Sequence, residues 1–136
     1  MGKKTKQNMK MKRMLTFLMA MLGGILGCSR HGYENMGVKE FAQLVAGSDV
    51  VVLDVRTAEE FAENHLPCAI NIDVRGEDFL TMARFVLPRE VRIAVYCRSG
   101  RRSAMACSML AREGYQVVNL EGGILAWKEE GQPVTK

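Results

Sequence analysis

The stretch that most limits the possible folds is 50–53, Val-Val-Val-Leu, a continuous run of apolar and mostly β-branched residues. Such a run is typical of a strand covered on both faces, as in a parallel sheet. Further strand patterns occur at 69–72, 92–96 and 116–120. Helical patterns alternate with the strands at 38–46, 57–64, 77–87 and 103–112, with a last helix after Gly123. Because parallel strands need crossover helices, the alternation predicts an α/β fold in which helices sandwich a parallel sheet.

The predicted helix boundaries rest on local signals. Thr57 and Glu60 have the spacing of a capping box, which starts a helix. Gly47 is expected to close the first helix in a left-handed conformation, and Pro88 and Gly114 are expected to end the two long helices.

The chemistry of the chain is concentrated in residues 95–103, Val-Tyr-Cys-Arg-Ser-Gly-Arg-Arg-Ser. This stretch runs from the end of a strand through a loop that opens on Cys97 into a helix. Unpaired backbone N–H groups at such a junction form a concave anion site, helped by the positive end of the helix. Helix N-termini and nearby arginines lower the pKa of a thiol from about 8.5 to roughly 3.5–7.5, so we expect Cys97 to be a thiolate.

Four segments, taken together, resemble the signature motifs of the rhodanese family of sulfurtransferases, and they occur in the family's order. These are 97–103 (CRSGRRS), 53–56 with 59–61 (LDVR and EEF), 65–72 (HLPCAINI) and 121–127 (EGGILAW). The resemblance extends over roughly residues 33–130 and implies the rhodanese-like parallel sheet. One position differs: Cys68 stands where the family usually has glycine.

The resemblance implies a mechanism in which Cys97 carries a sulfur atom as a persulfide. An anionic donor such as thiosulfate would supply the sulfur, and cyanide or a thiol, including a protein thiol, would accept it. The residues expected to bind substrate are Arg98, Ser99, Gly100, Arg101 and Arg102. Arg98 and Arg101 are expected to face solvent and attract the donor, and Arg102 to fold back and hold the loop. No cofactor or metal is predicted.

Several other residues have an ordinary structural interpretation. Asp54 and Arg56 are expected to support the site by fixing neighbouring turns rather than to contact substrate. His65 lies in a motif that the resemblance does not make catalytic. Trp127 and Cys107 are expected in the core. Cys68 is either a small residue in a tight turn or a second thiol able to meet Cys97.

The first 27 residues have a different composition from the rest of the chain. They contain six basic residues and no acidic one, and the uncharged stretch 14–27 is too short to span a membrane but is typical of a signal peptide. The segment ends Ile-Leu-Gly-Cys28, which resembles a bacterial lipoprotein cleavage box. We therefore expect a signal peptide at 1–27, a lipidated Cys28, a tether at 28–32, a domain at 33–131 and a tail at 132–136. An ordinary signal peptide or an uncleaved anchor is the alternative.

Charge narrows the possible partners. From Cys28 onward the chain has thirteen basic and fifteen acidic residues, which disfavours nucleic-acid binding. The expected location is the outer side of a bacterial membrane, held by the lipid. Two alternative functions stay open: an arsenate reductase or phosphatase of similar fold, and a persulfide carrier or redox partner in the cell envelope that is not itself an enzyme.

Overall fold

The structure is a computed structural model that describes residues 32–136. The predicted signal peptide, the lipidation site Cys28 and most of the predicted tether lie outside the described residues. Within residues 32–136, no helix is long and apolar enough to cross a membrane.

A five-stranded parallel sheet forms the centre of the domain, in the order β1-β5-β4-β2-β3. The strands are β1 (Glu34–Met36), β2 (Val50–Asp54), β3 (Ile70–Asn71), β4 (Arg92–Tyr96) and β5 (Val117–Leu120). The helices are α1 (Val38–Val45), α2 (Ala58–Glu63), α3 (Phe79–Val86), α4 (Arg101–Arg112) and α5 (Gly123–Glu129). The predicted α/β fold with a parallel sheet between helices is confirmed.

Two separate cores cover the two faces of the sheet, because successive side chains of a strand point to opposite faces. In β4, Ile93 and Val95 belong to the core that includes residues of α3 and α4. Ala94 and Tyr96 belong to the core that includes Phe41 and Trp127. Trp127 is buried and meets Phe41 edge to face, with ring centroids 6.1 Å apart, so its predicted core role is confirmed.

Strand β1 was not predicted, because Glu-Asn-Met is short, polar and without a repeat. It exists through long-range pairing: Asn35 lies opposite Asn119 of β5, and the Asn119 amide donates to Asn35 Oδ1 at 3.0 Å. Glu34 also forms a salt bridge of 2.7 Å with Arg92 of the strand beyond. A pattern within three residues carries no information about such partners.

Several helix ends differ from the prediction. Gly47 has no positive φ; α1 instead ends at Val45 with Ala46 as its C-cap, and the Gly47 N–H donates to Leu44 O at 3.1 Å. Helix α4 begins at Arg101, two residues earlier than predicted, because Gly100 takes a left-handed φ of 104° immediately before it. The capping box of Thr57 and Glu60 is present as predicted.

The last residues return to the domain. Thr135 and His65 exchange two backbone hydrogen bonds of 2.8 Å, and the Trp127 indole donates to Pro133 O at 2.8 Å. The segment predicted as a tail therefore contacts the turn that precedes β3.

Candidate active site

Cys97 follows β4 directly and lies at the carboxyl end of the sheet, where ligands of parallel α/β sheets bind. The residue is 1% exposed. The sulfur accepts a hydrogen bond from the Gly100 N–H at 3.0 Å and one from the Ser103 hydroxyl at 3.3 Å. The loop thus curls around the sulfur and stabilises negative charge on it.

The pKa of the Cys97 thiol reflects two opposing effects. Burial raises it, since a thiolate is less stable out of water. Hydrogen bonds from the Ser103 hydroxyl and N–H, and then from the Gly100 and Ser99 N–H groups, lower it by more, so the net pKa lies below that of an ordinary thiol. Ser103 was not recognised from the sequence as a site residue, although its position in the first turn after the loop was a usable signal.

The start of α5 holds the loop from behind. The Ile124 N–H donates to Cys97 O at 2.9 Å and the Leu125 N–H to Arg98 O at 3.2 Å. A Cβ on Gly123 would lie 2.3 Å from Arg98 O, so only glycine permits this approach. Because α5 binds the carbonyl groups at the start of the loop, they point away from the anion site.

The three loop arginines have different environments. Arg98 and Arg101 are exposed, and their side chains form no ion pair or hydrogen bond within residues 32–136. Arg102 is less exposed and reaches Glu60, with its two guanidinium nitrogens 2.8 and 2.9 Å from the carboxylate oxygens. This matches the expectation that Arg102 folds back, while its assignment as a substrate-binding residue stays a prediction.

Glu60 was singled out from the sequence only as a capping residue, yet it joins α2 to the loop. Its Oε2 accepts from the Thr57 N–H at 3.0 Å as well as from Arg102. The hydrogen bonds from Arg102, with those from Thr57, lower the pKa of Glu60 to about 2 despite its partial burial. The carboxylate is therefore charged at neutral and at mildly acidic pH.

Asp54 and Arg56 form a buried ion pair of 2.6 Å below the site. Asp54 also accepts from the Tyr96 hydroxyl at 2.6 Å, and Arg56 donates to Asn64 O at 2.6 Å. The Tyr96 hydroxyl in turn accepts from the Leu66 N–H at 3.0 Å. The network fixes the ends of β2 and β4 and the turn before β3. The supporting role of Asp54 and Arg56 in the site stays a prediction.

The remaining candidates lie elsewhere. His65 stacks on Phe61 with ring centroids 3.7 Å apart. Cys107 is fully buried in the core beside Cys97, and burial raises its pKa well above that of an ordinary thiol. Cys68 is exposed, has a φ of 63°, and lines an apolar groove of about 530 Å³ with Trp127 and Val45. It belongs to the opposite face of the sheet from Cys97, and no disulfide joins the cysteines 68, 97 and 107.

No cluster of three histidine, cysteine, aspartate or glutamate side chains in the described part of the chain is arranged to hold a metal ion. The fold and the loop together define the class: a parallel α/β domain that presents a cysteine in a cradle of backbone N–H donors at the carboxyl edge of its sheet.

Comparison with known proteins agrees with this class. The rhodanese-like domain model matches residues 37–130. A sulfurtransferase of Allochromatium vinosum is 36% identical over 93 residues, covering 68% of this chain and 84% of that protein. Thiosulfate sulfurtransferase 18 of Arabidopsis thaliana is 36% identical over 94 residues, covering 60% and 69%. The crystal structure of a rhodanese-related protein from Thermoplasma volcanium has a TM-score of 0.67 at 33% identity, covering 76% of this chain and 98% of that one.

The chain therefore belongs to the rhodanese-like domain family. The relatives support sulfurtransferase activity in general.

Proposed function

We propose that this protein moves a sulfane sulfur from an anionic donor such as thiosulfate to a cyanide or thiol acceptor through a persulfide on Cys97. The observation that carries the proposal is the thiol environment: a buried sulfur accepts hydrogen bonds from Gly100 and Ser103 and has a lowered pKa. A thiolate is the form of cysteine that attacks sulfur.

In the first half of the reaction, the Cys97 thiolate attacks the outer sulfur of thiosulfate. The S–S bond of thiosulfate breaks, and its electron pair leaves with sulfite. The terminal sulfur anion of the new persulfide lies where the N–H groups of the loop converge, because preorganised donors stabilise a charge at a fixed position. In the second half, the acceptor attacks this sulfur, and the electron pair of the broken S–S bond returns to Cys97.

The exposed arginines support a negatively charged donor. Arg98 and Arg101 have no ion-pair partner in the described region, so they can raise the local concentration of anions. Arg102 is occupied by Glu60 and serves the loop rather than solvent.

Steady-state transfer from thiosulfate to cyanide tests the proposal, together with intact mass after incubation with thiosulfate alone. We expect turnover and an adduct of about 32 Da, one sulfur atom bound by thiol exchange chemistry. A preparation that forms the adduct but does not turn over cyanide would instead be a carrier. Failure to form any adduct on Cys97 would refute the proposal.

Aryl phosphate hydrolysis distinguishes the phosphatase alternative. Only four residues separate Cys97 from Arg102. Phosphatases of similar fold have a loop that resembles this one but has five residues between its cysteine and its arginine. The extra residue makes a wider ring, which suits a tetrahedral oxyanion. We expect negligible phosphatase activity, and insertion of one glycine after Gly100 should weaken adduct formation while admitting phosphate or arsenate. Faster aryl phosphate hydrolysis than sulfur transfer by the unmodified protein would overturn this choice.

We also propose that the mature protein is a lipoprotein on the outer side of a bacterial membrane, anchored through Cys28. The support is sequence alone: a basic start, an uncharged stretch at 14–27 and the cysteine that follows it. Two or more acyl chains hold a protein stably on a bilayer. Cys28→Ser should abolish lipidation and release the protein from membranes; unchanged processing and membrane association would exclude the lipoprotein assignment.

A further inference from the structure

A mixed cationic and apolar surface is formed by exposed residues of the Cys97 loop and of the first turns of α4 and α5. We call it the mouth surface and define it by Arg98, Arg101, Met105 and Leu125. Its parts are contiguous: the Leu125 N–H donates to Arg98 O at 3.2 Å, and Arg101 and Met105 are four residues apart on α4, so they share one helix face. All four residues are exposed.

The positive charge of the mouth surface is local. Residues 32–136 contain fifteen acidic and twelve basic residues, so the described domain has an excess of negative charge. Arg56, Arg84, Arg92 and Arg102 each form a salt bridge, whereas Arg98 and Arg101, like Arg75, Arg89 and Arg112 elsewhere in the domain, form none among the described residues. Two unneutralised guanidinium groups therefore stand beside the thiol, on a domain that is otherwise acidic.

A small anionic donor explains the arginines but not the apolar side chains beside them. Met105 is 48% exposed and Leu125 is 44% exposed. Apolar side chains next to unpaired arginines are typical of surfaces that bind proteins, where Met and Arg are enriched. The 1% exposure of Cys97 adds a steric condition, since an acceptor must reach a recessed sulfur through this surface. A single side-chain thiol that projects from a partner fits that condition.

We propose that the mouth surface docks a second protein that presents a cysteine flanked by acidic and apolar side chains, and that this cysteine is the sulfur acceptor. The inference rests on the proposed function. The partner's thiolate attacks the outer sulfur of the Cys97 persulfide, the S–S bond breaks, and its electron pair returns to Cys97. The partner leaves as the persulfide, and no further oxidant or reductant is needed.

Two short synthetic peptides serve as probes of acceptor chemistry. Both contain one cysteine and one leucine; the first has glutamates beside the cysteine, and the second has lysines in their place. Mass spectrometry follows the peptide persulfide formed from thiosulfate-loaded protein. Electrostatic steering predicts a kcat/KM about tenfold higher for the acidic peptide at low salt, a difference that shrinks as salt screens the charges.

A double variant tests the apolar part of the mouth surface. Met105→Gln with Leu125→Gln should lower kcat/KM for the acidic peptide about fivefold. Transfer from thiosulfate to cyanide should be unchanged, because the substitutions alter only two exposed side chains and keep the backbone N–H of residue 125 that donates to Arg98 O. The matched control is Met82→Gln with Phe85→Gln, which changes two exposed apolar residues of α3 and should leave both reactions unchanged.

Equal rates for the two peptides, or an unchanged acidic-peptide rate in the double variant, would overturn the docking proposal. If the double variant lost transfer to cyanide to the same extent as transfer to the acidic peptide, the docking proposal would also be overturned, because the surface would then serve the small-substrate reaction. A concentration-dependent dimer that the double variant abolishes would assign the surface to a second copy of this chain. Absence of any Cys97 persulfide in the unmodified protein would instead refute the underlying function, which intact mass detects separately.

Discussion

Cys97 and Cys68 have the same side chain but differ in exposure, in hydrogen bonds to the sulfur and in backbone conformation. Cys97 is recessed, yet its sulfur receives hydrogen bonds from Gly100 and Ser103 that favour the thiolate. Cys68 is exposed, but it lines an apolar groove. Its backbone has a left-handed φ of 63°, which residues other than glycine rarely adopt. The two thiols therefore differ in both respects: the recessed sulfur has hydrogen-bond donors around it, and the exposed one lines an apolar groove.

The largest expected difference between the two thiols is in sulfur transfer. Cys97→Ser should abolish both the persulfide adduct and turnover, because serine supplies no sulfur nucleophile. Cys68→Ser should retain the activity of the unmodified protein, measured as thiocyanate formed from thiosulfate and cyanide. An adduct that persists in the Cys97 variant and disappears in the Cys68 variant would reverse the comparison.

The support behind the Cys97 loop is the next test. Gly123→Ala places a methyl group 2.3 Å from Arg98 O at a residue with a φ of 59°. Strain and overlap should together cost about 2–4 kcal/mol of unfolding free energy and remove most of the transfer activity. Chemical denaturation and the cyanide assay measure the two effects.

Gly131→Ala is the matched control, since Gly131 has a φ of 77° but no atom within 4 Å of an added Cβ. It should cost only the backbone strain, about 1 kcal/mol, and leave transfer intact. Equal losses of unfolding free energy and of transfer activity in the two alanine variants would show that the contact between residue 123 and Arg98 O is unimportant.

Removing a single donor should weaken the thiolate without destroying the site. Ser103→Ala deletes one hydrogen bond to a charged group, worth about 1.5–3 kcal/mol, so transfer near neutral pH should fall at least about tenfold. The midpoint of the alkylation rate of Cys97 against pH should move upward. Ser108→Ala, on the same helix, should change neither quantity; an unmoved midpoint in the Ser103 variant would exclude the hydroxyl as a determinant of reactivity.

Acid should weaken the link between α2 and the loop. The folded pKa of Glu60, about 2, lies below the value of about 4.3 for an unfolded chain. Glu60 therefore contributes stability that is present above about pH 4.3 and is lost as the pH falls toward about 2. Glu60→Gln should lower the unfolding free energy more at pH 7 than at pH 3. The control Glu59→Gln, at an exposed residue, should show no such difference between the two pH values. An equal loss at both pH values in the Glu60 variant would contradict the ion-pair explanation.

The smallest expected effect is at Cys68. Cys68→Gly relieves a left-handed backbone strain of about 1–2 kcal/mol but adds flexibility to the unfolded chain, so a net gain of about 0.5 kcal/mol is expected. Cys68→Ala retains the strain and should bring no gain. If Cys68→Gly abolished turnover with thiosulfate, Cys68 would be part of the mechanism after all.

Much of this architecture was predictable from local patterns. The apolar run of β2, the capping box at Thr57 and the Cys97 loop each have a cause within a few residues, and the structure contains all three. Strand β1 was missed because its partners are more than eighty residues away in the sequence, at 118–120. The left-handed closure expected at Gly47 was wrong, because a hydrogen bond to Leu44 ends that helix without it.

The sequence by itself determined the alternation of strands and helices, the position of Cys97 at a strand end and the arginines around it. These features depend on local periodicity and on neighbours along the chain. Only the tertiary structure decided that Glu60 forms a salt bridge with Arg102 and that the Ser103 hydroxyl donates to the Cys97 sulfur. It also decided that the close backbone approach at Gly123 allows α5 to bind the loop carbonyl groups. Each of those contacts depends on how separate elements pack, and packing is a property of the whole fold rather than of any one segment.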